Sequence, residues 1–223
     1  MKKAIITGAS SGLGLEVAKL LQEKGVEIVN LSRSRTSFQD IYVDLSEDKT
    51  IFSAIRAIKK QHADFDLLIL NAGMYLKAKI GEYDFEKEYD IEKNFKVNVI
   101  GSMKLVNGLI SLLKKNHGDV VVVGSTGAFK NSEEVVYTAT KQAVLSFIRS
   151  LQADLKHEDV RVIGFHPGRF NSNLRGKNIV KEGSMNAKDL AVAMVNALML
   201  PRNVEVSEMI INRKEVKEES RYL

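Results

Sequence analysis

The chain has no cysteine among its 223 residues, which excludes disulfides and thiolate metal sites and fits a reducing, cytoplasmic setting. Histidine is scarce as well: the four, at 62, 117, 157 and 166, are scattered without metal-ligand spacing, so no metal is expected. No run approaches the ~18 consecutive apolar residues that a membrane helix needs, so no membrane association is expected. Met1-Lys2-Lys3 leads straight into a strand pattern, and no cleaved leader is read there. The net charge of +5 comes from basic residues interleaved with acidic ones. A nucleic-acid surface would need a concentrated basic stripe, and an anionic small molecule suits this balance better. No linker, repeat or low-complexity block divides the chain. Hydrophobic content of 44% and charged content of 27% are ordinary globular values, consistent with one large domain spanning 1–223.

Short apolar runs alternate with amphipathic segments. Lys3-Ala4-Ile5-Ile6-Thr7, Val26 to Leu31, Ile41-Tyr42-Val43, Leu67 to Leu70, Val120 to Val123, Val160 to Phe165 and Glu208 to Ile211 read as seven strands. Between them lie helical patterns: Leu13 to Gly25, a segment with Ile51, Ile55 and Ile58 inward and Ser46 as its N-cap, Val97 to Lys115, and Val135 to Lys156. Asn186 reads as the N-cap of a last helix carrying Leu190, Met194 and Leu198 and stopped before Pro201. Gly81 to Asn94 reads as a short surface helix, and Arg169 to Asn186 as a polar, substrate-facing segment. Residues 213–223 form a charged tail. The alternation predicts an α/β fold, a doubly wound seven-stranded parallel sheet of Rossmann type, with ligands at the strands' carboxyl ends.

Gly8-Ala9-Ser10-Ser11-Gly12-Leu13-Gly14 follows the first strand and opens a helix, the context of a dinucleotide-binding turn. Gly8 allows the tight turn, Gly12 the close approach to pyrophosphate, and Gly14 close helix–strand packing. The helix N-terminus offers unpaired N–H groups to phosphate, and no Gly-Lys-Ser/Thr follows as in a Walker-type loop. After strand two, Ser32 stands where a ribose-holding carboxylate would sit, and Arg33 follows; a cation there suits a 2′-phosphate, or is simply a solvated turn residue. Asp44 is read equally as an adenine partner or a turn-closing residue. Small residues at Asn71-Ala72-Gly73 let a cofactor cross the strand end, while Asn71 also supports the sheet.

Tyr137 and Lys141 lie four apart at the start of a helix and so share a face. A free phenol, with a pKa of about 10, is too weak an acid for work near neutrality, and a neighbouring ammonium pulls it down. Ser125, at the end of the preceding strand, could hold a carbonyl oxygen while Tyr137 gives it a proton. Tyr-x-x-x-Lys alone is a common helix pair; its company here is what matters. Asn98, a polar residue within an apolar helix, either ties two elements together or holds a water that extends a proton path from Lys141. His166 reads as a packed strand-end residue.

Together, Thr7-Gly8-x-x-x-Gly12-x-Gly14, Asn71-Ala72-Gly73, Asn98, Ser125, Tyr137-x-x-x-Lys141 and Pro167-Gly168 resemble the short-chain dehydrogenase/reductase family over roughly 3–212. The resemblance implies a catalytic set of Asn98, Ser125, Tyr137 and Lys141. In that set Tyr137 is the acid in reduction, Ser125 orients the carbonyl, Lys141 binds the nicotinamide ribose, and Asn98 holds the relay water. It implies a cofactor resting on Gly8, Ser10, Ser11, Gly12, Leu13, Gly14, Arg33, Asp44, Leu45, Asn71, Ala72, Gly73, Tyr137, Lys141, Pro167, Gly168 and Ser172. Arg33 resembles the basic position of NADP-preferring members, so NADP is expected rather than NAD. It also implies a small-molecule carbonyl or alcohol substrate and a homo-dimer or homo-tetramer. Three departures stand out: the gap of twelve between Ser125 and Tyr137 is one shorter than usual, with Thr126 as a second hydroxyl; Ser172 is the nearest match to the family's threonine after Pro-Gly; and the substrate segment that follows is short and polar, so it does not reveal the substrate. The competing readings are a catalytically silent NADP-binding sensor or scaffold, which would not need Tyr137, Lys141, Ser125 and Asn98, and an extended epimerase or dehydratase, for which the chain leaves little room.

Overall fold

A computed structural model of the chain describes residues 1–76, 91–130, 133–172 and 184–214. The expectations for 81–90, most of the substrate-facing segment (173–183) and the tail from 215 lie outside the described residues. The sheet has the seven parallel strands expected, in the order β3-β2-β1-β4-β5-β6-β7. They are β1 (Lys3–Thr7), β2 (Glu27–Ser32), β3 (Gln39–Tyr42), β4 (Leu67–Leu70), β5 (Asp119–Val123), β6 (Arg161–Pro167) and β7 (Glu208–Ile211). The helices are α1 (Gly12–Glu23), α2 (Asp48–Gln61), α3 (Ile91–Phe95), α4 (Gly101–Lys115), α5 (Val135–Asp154) and α6 (Ala187–Leu198).

The apolar runs are continuous because both sheet faces are covered. Ile5, Leu68, Val120, Val122 and Val162 face α2, α4 and α5 through Ile51, Ile58, Leu105, Leu109, Val144 and Ile148. Their neighbours Ala4, Ile6, Leu67, Ile69, Val121 and Ile163 face α1 and α6 through Val17, Leu21, Leu190 and Met194. The amino-terminal edge of the sheet is closed by charge pairs. Asp119 takes the Arg161 guanidinium at 2.7 and 2.8 Å and Arg202 at 2.9 Å.

Three expectations are corrected. Strand three runs from Gln39 to Tyr42 rather than from Ile41 to Val43, because its register pairs Gln39 with Val29 and Tyr42 with Ser32. Ser46 does not cap α2: Glu47 holds the cap position, and the Ser46 hydroxyl donates to Asp44 Oδ1 at 2.6 Å. The helix read as Val97–Lys115 is preceded without a break by the helical residues Ile91–Phe95 and passes through a π turn (Lys96–Ile100) in which Gly101 N–H reaches back to Lys96 O. Asn98 sits inside that turn. Asn186 caps α6 as expected, accepting Lys188 N–H at 3.0 Å. His166 is a fully buried strand residue, packed as expected, edge-on against Phe129 at 5.1 Å with Gly124 and Gly164 beside it. Desolvation lowers its pKa, and neither ring nitrogen has a hydrogen-bond partner among the described residues.

The chain lays down β1, β2 and β3 in one direction and then crosses back to β4. The reversal leaves a crevice above the carboxyl ends of β1 and β4, where ligands of such sheets bind.

Candidate active site

The crevice begins at Thr7. Its hydroxyl accepts the backbone N–H of Asn71 at 2.9 Å and of Ala72 at 3.0 Å. The Asn71 side chain donates to Thr7 O at 3.0 Å and Gly8 O at 3.3 Å. Gly8 (φ 73°) and Gly12 (φ 55°) occupy the left-handed region that the tight turn requires. A Cβ at Gly14 would lie 2.5 Å from both Asn71 Nδ2 and Gly8 O, so the helix can enter this close only without a side chain. The buried Asn30 steadies the turn by accepting Ala9 N–H at 3.0 Å. Sequence reading passed over Asn30; an amide inside the apolar run of β2 was the available signal.

From this turn opens a cavity of about 700 Å³, within the usual size of small-molecule sites. It is lined by Gly8, Ser10, Ser11, Gly12, Leu13, Arg33, Asp44, Leu45, Asn71, Ala72, Gly73, Ser125, Tyr137, Lys141, Pro167, Gly168 and Ser172. Every expected site residue is there except Gly14, which is spent on packing, and Asn98, which stands behind the wall. At the far end, Arg33 is largely exposed and stands 3.8 Å from Asp44 Oδ2. Burial alone would raise the Asp44 carboxyl, but hydrogen bonds from the Ser46 hydroxyl and N–H and the Arg33 charge hold it below its ordinary value. Asp44 thus closes its turn and also lines the cavity.

The near end carries the acid–base groups. Helix α5 presents Tyr137 and Lys141 on the cavity wall, with Glu134 at the cap position just before it. Lys141 is 5% exposed, and its ammonium donates to Val123 O at 3.2 Å and lies 5.9 Å from the Tyr137 ring centroid. Burial pushes its pKa down to about 8. Ser125 lies two residues beyond β5 and accepts Gly127 N–H at 3.0 Å, which fixes its hydroxyl at the first turn of a short helix (Thr126–Phe129). Asn98 serves as a tie: Oδ1 accepts Met74 N–H at 2.6 Å, and Nδ2 donates to Met74 O at 2.8 Å and Thr140 Oγ1 at 3.1 Å. Thr140 in turn donates to Tyr137 O at 2.8 Å, so Asn98 and Tyr137 are linked through one hydroxyl. Tyr75, which sequence reading did not single out, packs edge-on against Tyr137 at 5.0 Å, and its hydroxyl donates to Glu134.

Comparison with known proteins agrees with this geometry. The sequence pattern of the short chain dehydrogenases matches residues 2–183. The chain belongs to that family. Its relatives include an uncharacterized oxidoreductase of Staphylococcus saprophyticus, 27% identical over 228 residues covering 94% of this chain and 96% of the relative. A Staphylococcus epidermidis oxidoreductase is 28% identical over 224 residues with the same coverage of both. Among solved structures, the alcohol dehydrogenase of the archaeon Thermococcus sibiricus, complexed with 5-hydroxy-NADP, superposes with a TM-score of 0.85 at 24% identity, covering 97% of this chain and 100% of that one. The closed form of a serine dehydrogenase complexed with NADP+ gives 0.82 at 20% identity, with 94% of each chain covered. At these identities the structures establish the fold. Among the described residues of this short-chain dehydrogenase, no helix is long and apolar enough to cross a membrane.

The buried Lys141 makes a pH-dependent contribution to stability. The folded protein gives up this proton near pH 8, whereas the unfolded chain holds it to about 10.5. Within that window unfolding takes up a proton, so the penalty for burying the charge fades as pH rises, by up to about 3 kcal/mol. Urea unfolding of the ligand-free protein between pH 7.5 and about 10 is expected to show the parent gaining stability relative to Lys141→Met. Parallel pH profiles for the two proteins would disprove the assignment.

Proposed function

We propose that this protein is an NADP-dependent oxidoreductase, carbonyl reductase-like, that moves a hydride between the nicotinamide and a carbonyl or alcohol substrate. The reading is carried by one observation: Tyr137, Lys141 and Ser125 line the same cavity as the glycine turn and Arg33. The cradle fits a dinucleotide, since Gly8 and Gly12 hold left-handed turns and Gly14 brings the helix N-terminus against the strand end. The cofactor, when bound, supplies or takes the hydride. Ser125 holds the substrate oxygen, and Tyr137 gives that oxygen a proton in reduction and removes it in oxidation. Lys141 favours the phenolate through its charge and holds the ribose. Asn98 supports the site from behind, tying Met74 to Thr140 and through it to Tyr137. The NADP complexes of the archaeal alcohol dehydrogenase and the serine dehydrogenase support the same cofactor here. A silent sensor would have no use for the buried ammonium beside the phenol.

A cytoplasmic homo-dimer or homo-tetramer completes the proposal. Ile100 and Met103 near the start of α4 and Val135 at the start of α5 are exposed large apolar side chains, which supports pairing through these two helices. Light scattering is expected to give a mass above the 24.9 kDa of one chain; a strict monomer at micromolar concentration removes this part.

Tyr137→Phe keeps the ring but removes the transferable proton, and turnover is expected to fall by at least ~10²–10⁴-fold while NADPH still binds. Near-normal NADPH oxidation by this variant would show that the acid is another group. For the cofactor, charge-assisted bonds to a 2′-phosphate are worth about 1.5–3 kcal/mol each. Arg33 is therefore expected to give roughly 10- to 1,000-fold preference for NADPH, weakening with salt. Arg33→Ala should weaken NADPH binding with little effect on NADH, and Ser32→Asp should turn the preference towards NADH. Fluorescence titration showing equal parent affinities, or equal losses for both cofactors, would reduce Arg33 to a solvated turn residue.

A further inference from the structure

Most charged groups on the cavity wall already face a partner. Arg33 stands 3.8 Å from Asp44, whose carboxyl also feels the Lys93 charge. Lys141 donates to Val123 O, and Glu134 accepts the Tyr75 hydroxyl. Arg169 differs: it lines the cavity and is exposed, and its guanidinium makes no hydrogen bond or ion pair among the described residues. Its backbone, by contrast, is pinned. Gly168 N–H donates to Ile211 O at 2.8 Å, Arg169 O accepts Met185 N–H at 3.3 Å, and Asn171 N–H donates to Met185 O at 3.0 Å. A free guanidinium rooted in a held backbone loses little backbone freedom when it takes a ligand.

The chain from Gly168 to Ser172 runs from the proton-transfer end of the cavity to the glycine turn. A Cβ on Gly168 would lie 3.5 Å from Thr126 Oγ1, and one on Gly12 would lie 3.7 Å from Ser172 Cβ. Arg169 is therefore rooted beside Thr126, the neighbour of Ser125, and short of the turn that suits phosphate. Thr126 also lines the cavity, and its hydroxyl has no hydrogen-bond partner among the described residues. A guanidinium presents paired N–H groups that match the two oxygens of a carboxylate, and a hydroxyl adds a further donor. A neutral alkyl group in the same place would strip water from both and return no hydrogen bond.

Resting on the oxidoreductase reading above, we propose that Arg169 and Thr126 receive the carboxylate of a hydroxy acid or oxo acid while Ser125 and Tyr137 handle its hydroxyl or carbonyl oxygen. One guanidinium offsets one negative charge, so the substrate is a monocarboxylate. In oxidation the carbinol hydrogen leaves with its electron pair for the nicotinamide of NADP+, the hydroxyl proton goes to Tyr137, and the carboxylate is an unchanged anchor.

The test follows NADP+ reduction with a ladder of methyl carbinols, 2-hydroxypropanoate, 3-hydroxybutanoate, 4-hydroxypentanoate and 5-hydroxyhexanoate, in which the carboxylate moves away one carbon at a time. Each is set against its own primary amide, which keeps the shape and removes the charge, at a pH of about 7 where the acids are ionised. At the best length, kcat/KM should favour the acid over its amide by about 10- to 100-fold, and the preference should shrink with added salt. Arg169→Gln should bring the acid-to-amide ratio close to one through a higher KM for the acid, while fluorescence titration shows NADPH bound as tightly as by the parent. Arg169→Lys, which keeps the charge and loses the fork, should restore part of the preference, and Thr126→Val should lower it. A purely structural role would not move this ratio with the charge at position 169. Amides turned over as well as acids at every length, or an acid preference that survives Arg169→Gln, would overturn the proposal and leave the oxidoreductase reading standing. So would a loss of NADPH affinity in Arg169→Gln, which would give this cation to the cofactor. Silence towards every acid and every amide would remove that reading and this proposal together.

Discussion

Where the chain reverses direction across the sheet, two neighbouring strand ends must be bound to each other tightly enough to serve as a floor. Thr7 and Asn71 do this by exchanging hydrogen bonds across β1 and β4, hydroxyl to backbone in one direction and amide to backbone in the other. The glycine turn, the entry of α1 and the span Asn71-Ala72-Gly73 all take their positions from that lashing. Gly14 shows how little slack remains, because a single methyl group there would meet both Asn71 and the Gly8 carbonyl. The cavity depends on this junction before it depends on any group that would touch a ligand.

Polar groups divide by the end of the sheet they occupy. At the amino-terminal edge they come in opposite-charge sets, Asp119 with Arg161 and Arg202, and Lys3 with Asp64 and Glu27. Such sets bring opposite charges together and close the core at that edge of the sheet. At the carboxyl edge, Lys141 is buried with its ammonium donating to the Val123 carbonyl, and its lowered pKa is the mark of a charge held in a poor solvent. Burial of an uncompensated charge opposes folding, and sites where chemistry is done are where such opposition is tolerated.

Much of this was legible from residue order. Strand runs buried on both faces, the glycine spacing after β1 and the four-residue step from Tyr137 to Lys141 are local patterns, and local patterns carry over directly. Residues whose meaning depends on a distant partner were harder. Tyr75 and Glu134 lie fifty-nine positions apart, and neither looks unusual beside its own neighbours. Ser46 looked like a cap because its type and place suited one, but the carboxylate two residues earlier claimed its hydroxyl. Asn98 was visible as a polar intruder, yet the turn that holds it was not, since no residue in Lys96-Val97-Asn98-Val99-Ile100 breaks a regular helix.

That π turn has a consequence for how the chain presents its side chains. An α-helix locks every side chain to one continuous angular phase, so a residue turned towards a cavity dictates the facing of residues several turns away. Widening one loop to a five-residue step slips the phase once, between Asn98 and the buried row Leu105, Leu109 and Leu113. Upstream of the slip the rod answers to Met74 and α5; downstream it answers to the sheet and α2. One continuous rod thus presents its side chains in two phases, each matched to a different set of neighbours.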